Sequence, residues 1–254
     1  VLMTRIAAIH ALGDIWAMGA KPQIALASLI LPRLSPALQS RSLDEILTTA
    51  HAVFAAEGAE IAGGHTTLGA EFTLGFSLTG LLDGPAVTLS GAVPGDRLIL
   101  TKPLGTGVIL AAEMRGLAEG ADVAACWDSM IRPQGAEARV LARAHAMTDV
   151  TGFGLAGHLM GLCQASGVSA EIDLEAVPLL PGALSLAERG IASTLLPENR
   201  AAVPGLPEGP HADLLADPQT CGGLLAALPP DLPLPATATV IGRILPGPPG
   251  LSLR

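Results

Sequence analysis

The spacing of apolar and polar residues in the first third of the chain predicts helices that alternate with strands. An almost uncharged pattern over residues 4–19 predicts a helix buried on most sides. The continuous apolar run 24–31 lies between two prolines and predicts a strand buried on both faces. An amphipathic pattern over 42–57, with Ser42 as its cap, predicts a second helix, and residues 60–62 and 72–82 predict further strands. This order is typical of an α+β domain with helices on one face of a sheet.

Turn-forming residues then separate this region from a second series of elements, and we place a domain boundary between residues 92 and 93. The predicted domains are 1–92 and 93–254. The second is predicted to contain strands at 97–101, 169–174, 222–228 and 237–244, and helices at 108–117, 135–145, 155–165 and 181–189. Residues 197–210 are rich in Pro and Gly and predict a surface loop. The predicted fold class is therefore α/β (α+β), with two domains and mixed sheets covered by helices.

The composition narrows the range of ligands. Hydrophobic residues make up 50% of the chain and charged residues 15%, which is enough apolar material for a large core and argues against disorder. Aromatic residues are only 2%, Tyr is absent and the net charge is −9, so nucleic-acid binding is not expected. An acidic protein that handles nucleotides needs metal ions to offset charge repulsion, which is consistent with Mg²⁺ and ATP.

Three cysteines, Cys126, Cys163 and Cys221, lie far apart without a C-x-x-C pair, so neither a zinc cage nor a disulfide framework is predicted. Reduced thiols are typical of a cytoplasmic protein. No 18-residue apolar span is free of polar breaks, so we expect no membrane helix. Residue 1 is Val, and we expect the chain to be part of a longer protein.

A short extended run ending at Asp149, a Gly-containing turn and a helix predicted from residue 155 form the first candidate site. The start of a helix attracts anions, Gly152 and Gly154 let a phosphate approach the backbone, and a carboxylate suits Mg²⁺. The alternative is that Asp149 or Thr151 only caps the helix.

Asp14 is the second candidate, because an unpaired carboxylate in so apolar a helix would be costly to bury. Its carboxylate is predicted either to have a structural partner, such as Arg5 or a backbone cap, or to lie at a solvated edge, or to bind a metal ion.

Further candidates follow predicted strands. The backbone amides of Gly63, Gly64, His65 and Thr66 form either an anion-binding nest or a simple turn. Lys102 either meets a phosphate or is a solvated loop residue. Asp217 either belongs to a functional loop or fixes an Asx-turn. His158 is interpreted as a helix-surface or core residue.

Five segments, taken together and in order, resemble the selenophosphate synthetase (selenide, water dikinase) family. They are residues 11–22 (ALGDIWAMGAKP), 62–66 (AGGHT), 100–107 (LTKPLGTG), 147–158 (MTDVTGFGLAGH) and 217–224 (DPQTCGGL). The resemblance implies a fold like that of aminoimidazole ribonucleotide synthetase. It also implies a homodimer with ATP near the dimer interface, and an N-terminal ATP-binding and dimerisation domain that is incomplete here.

The resemblance also implies a reaction in which ATP, selenide and water give selenophosphate, AMP and phosphate. Asp14 and Asp149 match the family's Mg²⁺ ligands, with Asp14 also contacting ATP. Gly63, Gly64, His65 and Thr66 match its ATP-contacting loop.

Departures from the family pattern affect what is expected of the chain. The family's Gly-rich segment with its Cys or selenocysteine and its catalytic Lys has no counterpart, so no catalytic residue is assigned and the isolated chain is expected to be inactive. Cys221 stands where the family commonly has Ser. The sequence of residues 198–200 resembles that of synthetases fused to a flavin oxidoreductase, which suggests a fused partner domain of that kind. The alternatives are another ATP-using enzyme of the superfamily, or a non-catalytic binding or dimerisation module.

Overall fold

The computed structural model describes all residues from 1 to 254. They divide into two compact units, Val1–Ala86 and Val87–Arg254, and each is described by itself.

The first unit is a three-stranded sheet with two helices. Its elements are α1 (Leu2–Ala17), β1 (Lys21–Pro32), α2 (Pro36–Ala56), β2 (Glu60–Gly69) and β3 (Thr73–Leu81). The strand order is β2-β1-β3, with β1 parallel to β2 and antiparallel to β3. The two helices pack against each other and against the sheet. Phe54 of α2 meets Phe76 of β3 edge to face, with ring centroids 5.0 Å apart.

Burial alternates along β1, so the prediction of a strand buried on both faces is wrong. Ala25, Ala27 and Leu29 are buried, whereas Leu26 is 46% exposed. The apolar residues of one face pack in a small core with Ile46 of α2. The other face, although also rich in apolar side chains, has no covering layer within this unit.

The helix α2 begins before its predicted range of 42–57, at Pro36 rather than after Ser42. Proline at the first helical position has its φ already set for the helix and lacks an N–H that would need a partner. Ser42 therefore lies inside the helix, and the cap predicted from Ser42 is wrong.

The second unit is a six-stranded sheet with helices. Its elements are β4 (Arg97–Leu100), α3 (Thr106–Met114), α4 (Gly120–Ile131), α5 (Gly135–Leu141), β5 (Ala146–Asp149), α6 (Gly154–Ser166), β6 (Ser169–Ile172), α7 (Ala183–Glu188), α8 (Leu196–Ala202), α9 (Pro210–Ala216), β7 (Leu224–Leu228), β8 (Thr239–Leu245) and β9 (Gly250–Leu253). The strand order is β5-β7-β4-β8-β6-β9, and only β6 and β9 are parallel neighbours. Every residue of β7 is buried, which explains its unbroken apolar sequence.

The mixed α/β fold class is confirmed, but three helices were not predicted. The sequence pattern missed α4 and α9, and the loop predicted over 197–210 contains most of α8. None of the helices combines the length and the apolar composition needed to cross a membrane.

Candidate functional site

Three polar residues lie together at one edge of the six-stranded sheet. Lys102 follows the end of β4, Asp149 ends β5, and Cys221 precedes the start of β7. Because β7 lies between the other two strands and runs antiparallel to both, its start is beside their ends. We call this group of Lys102, Asp149 and Cys221 the Asp149 edge.

Lys102 is buried at this edge, with 1% of its surface exposed, so its interpretation as a solvated loop residue is wrong. Its Nζ donates a hydrogen bond to the carbonyl oxygen of Cys221 at 3.0 Å. Loss of hydration lowers the pKa of the Lys102 ammonium to about 7. A buried amine is thus held by the backbone of the neighbouring segment.

The segment from Cys221 to Gly223 is packed tightly against the end of β5. Cys221 has a φ of 53°, and it is the chain's one non-glycine residue in the positive-φ region. A Cβ on Gly222 would lie 2.0 Å from the carbonyl oxygen of Val150, so only glycine fits there. The N–H of Val150 donates to the carbonyl oxygen of Gly223 at 2.8 Å. Burial raises the pKa of the Cys221 thiol to about 12, which makes it a poor nucleophile.

Asp217 caps a helix that lies 110 residues earlier in the chain, and its Oδ2 also accepts a hydrogen bond from Gln219 Nε2 within its own loop at 2.9 Å. Its Oδ2 accepts the N–H groups of Gly107 and Val108 at 3.0 and 3.2 Å. Gln219 Oε1 accepts the N–H groups of the two residues before them. The start of α3 is therefore occupied by protein groups and is not an anion site. Burial raises the pKa of Asp217 to about 7, against the lowering effect of these hydrogen bonds.

The turn after Asp149 is held by side chains from elsewhere. The N-cap residue of α6 is Phe153, so the prediction that Asp149 or Thr151 is the cap residue is wrong. Instead, the N–H of Thr151 donates to His158 Nε2 at 3.0 Å, and burial lowers the pKa of that imidazole. Asn199 Nδ2 donates to the carbonyl oxygen of Gly152 at 2.8 Å. Sequence reasoning assigned Asn199 no role in this turn, although the sequence of residues 198–200 resembles that of fused synthetases.

Gly152 and Gly154 differ in what surrounds them. Gly154 has a φ of 68°, and a Cβ there would lie 2.7 Å from the backbone of Ala216. The backbone of Gly154 is therefore approached closely by the protein's own backbone and not by a phosphate. Gly152 is exposed, and no atom lies within 4 Å of the point that a Cβ on it would occupy, so its backbone is open to a ligand.

Asp14 lies in the last turn of α1 and is exposed, so the expected cost of burying it does not arise. The carbonyl end of a helix disfavours a carboxylate, and no basic residue lies in that turn of α1. A cation bound here would offset the negative charge of the carboxylate and that of the helix end.

The predicted loop 62–66 is part of β2, so an anion nest made by a turn is wrong. Its candidate residues are all exposed and alternate between the two faces of the sheet: Gly63 and His65 on one, Gly64 and Thr66 on the other. Gly64 has a φ of 148°, and a Cβ there would lie 2.0 Å from the carbonyl oxygen of Ala27. Strand packing thus requires this glycine.

Three cavities of the second unit have volumes of about 220, 520 and 160 Å³. The first is lined partly by Asp217, the second surrounds the pair Asp96 and His145, and the third lies beside Asn199. Asp149 lines none of these three. The chain has no group of three or more His, Cys, Asp or Glu residues placed to hold a metal ion.

Comparison with known proteins gives a consistent result. The AIR synthase related protein N-terminal domain matches residues 2–82, and the corresponding C-terminal domain matches residues 93–248. The selenide, water dikinase of Geobacter sp. (strain M21) is 37% identical over an alignment of 233 positions, which covers 89% of this chain and 67% of the relative. That of Escherichia coli (strain K12) is 39% identical over an alignment of 259 positions, gaps included, which covers 95% of this chain and 74% of the relative.

Solved structures share the fold. Thiamine monophosphate kinase from Aquifex aeolicus has a TM-score of 0.72 at 21% identity, over 98% of this chain and 80% of that one. The hydrogenase maturation protein HypE in complex with ATP has a TM-score of 0.75 at 19% identity, over 99% of this chain and 75% of the HypE chain.

Proposed function

Because this chain belongs to the selenide, water dikinase family of AIR synthase related proteins, we propose that it takes part in ATP-dependent synthesis of selenophosphate from selenide, with AMP and phosphate as the other products. The observation that carries the proposal is the 39% identity to a selenide, water dikinase across 95% of the chain. The thiamine monophosphate kinase and HypE structures, at 21% and 19% identity, support only the fold.

In this proposal Asp14 in the first unit and Asp149 in the second are each ligands of Mg²⁺. Asp149 ends a strand beside the open backbone of Gly152, where a phosphate can approach. Asp14 is exposed at a helix end that favours a cation. The hard oxygens of carboxylates suit Mg²⁺, which would neutralise phosphate charge and orient the transferred group. ATP is proposed to contact Asp14 of α1 and the β2 residues Gly63, Gly64, His65 and Thr66.

Two substitutions test the metal ligands. Asp14→Asn and Asp149→Asn are each expected to weaken binding of Mg²⁺ with nucleotide by at least about tenfold, because each removes a charged ligand oxygen. The matched controls are the exposed residues Asp44→Asn in the first unit and Asp128→Asn in the second. Isothermal titration calorimetry with AMPPCP at several Mg²⁺ concentrations gives the affinities. Unchanged Mg²⁺ dependence in both variants would contradict the assignment.

Phosphorus NMR of the products tests the reaction. The chain spans 67–74% of the length of the two dikinase relatives named above, so the assay is run on these 254 residues and on the whole reading frame that encodes them. With ATP and selenide the whole product is expected to form selenophosphate, AMP and phosphate. Formation of ADP would instead indicate a kinase of the thiamine monophosphate type. AMP formation by the 254 residues alone would contradict the proposal that they are inactive in isolation.

We also propose that the protein is a homodimer formed through the open face of the first sheet. That face carries Ile24, Leu26 and Ile30 from β1, and β2 is an exposed edge strand. Apolar sheet faces and unpaired edges are typical places for association between copies. Leu26→Lys is expected to shift the mass measured by light scattering from dimer to monomer, whereas Leu34→Lys, similarly exposed outside the sheet, is not. A monomeric wild type would contradict the proposal.

A further inference from the structure

The buried ammonium of Lys102 is directed at a backbone carbonyl and not at a carboxylate. Removing a charged amine from water is costly unless hydrogen bonds replace its hydration. Here the bond goes to Cys221, the residue whose positive φ departs from ordinary backbone geometry. Strained residues of this kind persist only where their surroundings hold them. Lys102 is one of the groups that hold this one.

The residues that follow Cys221 contact Asp149 and its chain neighbour Val150 across the sheet. Asp149 pairs with Leu224 in the ladder between β5 and β7, and Val150 bonds to Gly223. Thr101, the neighbour of Lys102, accepts the N–H of Leu224 at 2.7 Å through its hydroxyl. The end of β4 therefore holds the start of β7, and the start of β7 fixes the end of β5.

We propose that Lys102 is a positioning residue for the metal ligand Asp149, acting through the segment 221–223; this rests on the metal role proposed above. A ligand carboxylate must be held to within about 0.5 Å for full affinity, and groups outside the ligand shell supply that restraint. When the hydrogen bond from Lys102 to the Cys221 carbonyl is removed, residues 221–223 lose a contact that holds their backbone and can change conformation. Asp149 would then lose its fixed position relative to the turn that follows it.

The test uses Mn²⁺ as the probe, with AMPPCP present and binding followed by electron paramagnetic resonance. Lys102→Met keeps the length of the side chain but removes the donor. It is expected to weaken Mn²⁺ affinity by about tenfold or more. The control is Ile244→Ala, which removes a fully buried side chain from β8 and lowers the thermal midpoint without touching the Asp149 edge. Its Mn²⁺ affinity is expected to stay within about twofold of the wild type.

The Asp149→Asn background separates the two proposals. If Lys102 acts only through Asp149, Lys102→Met causes no further loss of Mn²⁺ affinity in that background. If Asp149→Asn weakens Mn²⁺ binding and Lys102→Met does not, the positioning role is overturned while the metal role survives. If Asp149→Asn has no effect on Mn²⁺ binding, the metal role fails and the positioning role fails with it.

Discussion

Protonation of Asp217 should make the stability of the second unit depend on pH in an unusual direction. The carboxyl is 3% exposed, and burial raises its pKa from 3.8 to about 7. A raised pKa means that the folded protein keeps a proton that the unfolded chain loses. The stabilising contribution of this proton is therefore complete below pH 3.8 and is lost as the pH rises through about 7.

The size of the effect follows from the same two values. Between them, each pH unit costs about 1.4 kcal/mol, and the curve flattens near the folded-state pKa. From about pH 5 to about pH 7 the free energy of unfolding of the wild type should fall by about 2 kcal/mol relative to Asp217→Asn. The amide of this variant resembles the protonated carboxyl and does not titrate, so the difference isolates Asp217 from other groups.

Urea unfolding of the second unit measures this difference. The chain has two tryptophans, and in a Trp16→Phe background the fluorescence of Trp127 reports on the second unit alone. Asp128→Asn, an exposed substitution on α4, serves as the control, because water solvates this side chain in both states. A difference between wild type and Asp217→Asn that stays constant from about pH 5 to about pH 7 would refute the reasoning, since it would mean that Asp217 is already ionised.

Gly64→Ala should destabilise the first unit by about 2–4 kcal/mol, because its Cβ would overlap the backbone of Ala27. Gly63→Ala, where a Cβ has space, should cost less than about 1 kcal/mol. Thermal unfolding followed by intrinsic fluorescence compares the two variants, and equal melting temperatures would contradict the packing argument. Gly154→Ala should likewise destabilise the second unit by about 2–4 kcal/mol, whereas Gly152→Ala should leave its stability unchanged and weaken nucleotide binding, as calorimetry would show. The three buried thiols, whose pKa values burial raises to about 11 or 12, should resist iodoacetamide at about pH 8 until the protein is unfolded; mass spectrometry that finds rapid labelling of the folded protein would contradict their burial.

The regular elements could be predicted because the spacing of their apolar residues follows from which side of each element is buried. The long helices of the first unit and the fully buried β7 have patterns that no other structure explains as well. The family could be identified because five short motifs occur in order. Neither inference needed contacts between distant residues.

The short helices could not be predicted, because distant contacts stabilise them. Both α8 and α9 have seven residues, too few to be stable alone. Asn199 of α8 donates to the last carbonyl of α9, and Arg200 pairs with Asp213 at 2.5 Å. No periodicity records such bonds. The sequence left open whether Asp14 is paired, solvated or a metal ligand for a related reason, since an apolar helix sequence does not show which of its sides the sheet covers.

The family motifs thus contain two kinds of residue, and the structure separates them. Gly64, Gly154 and Gly222 are required by close backbone contacts, and Asp217 by its cap on α3; packing alone explains their place in the motifs. Packing does not explain the exposed residues of the same motifs, namely Asp14, Gly63, His65 and Gly152. A motif residue that contributes little to folding is expected to be retained for what it binds, since substitution there costs the fold little. Asp149 shares features of both kinds of residue, because the strand ladder fixes its backbone while its side chain is only half-buried. Ligand specificity should therefore respond to substitutions of the exposed group at nearly constant stability, whereas the packed group should change stability and binding together.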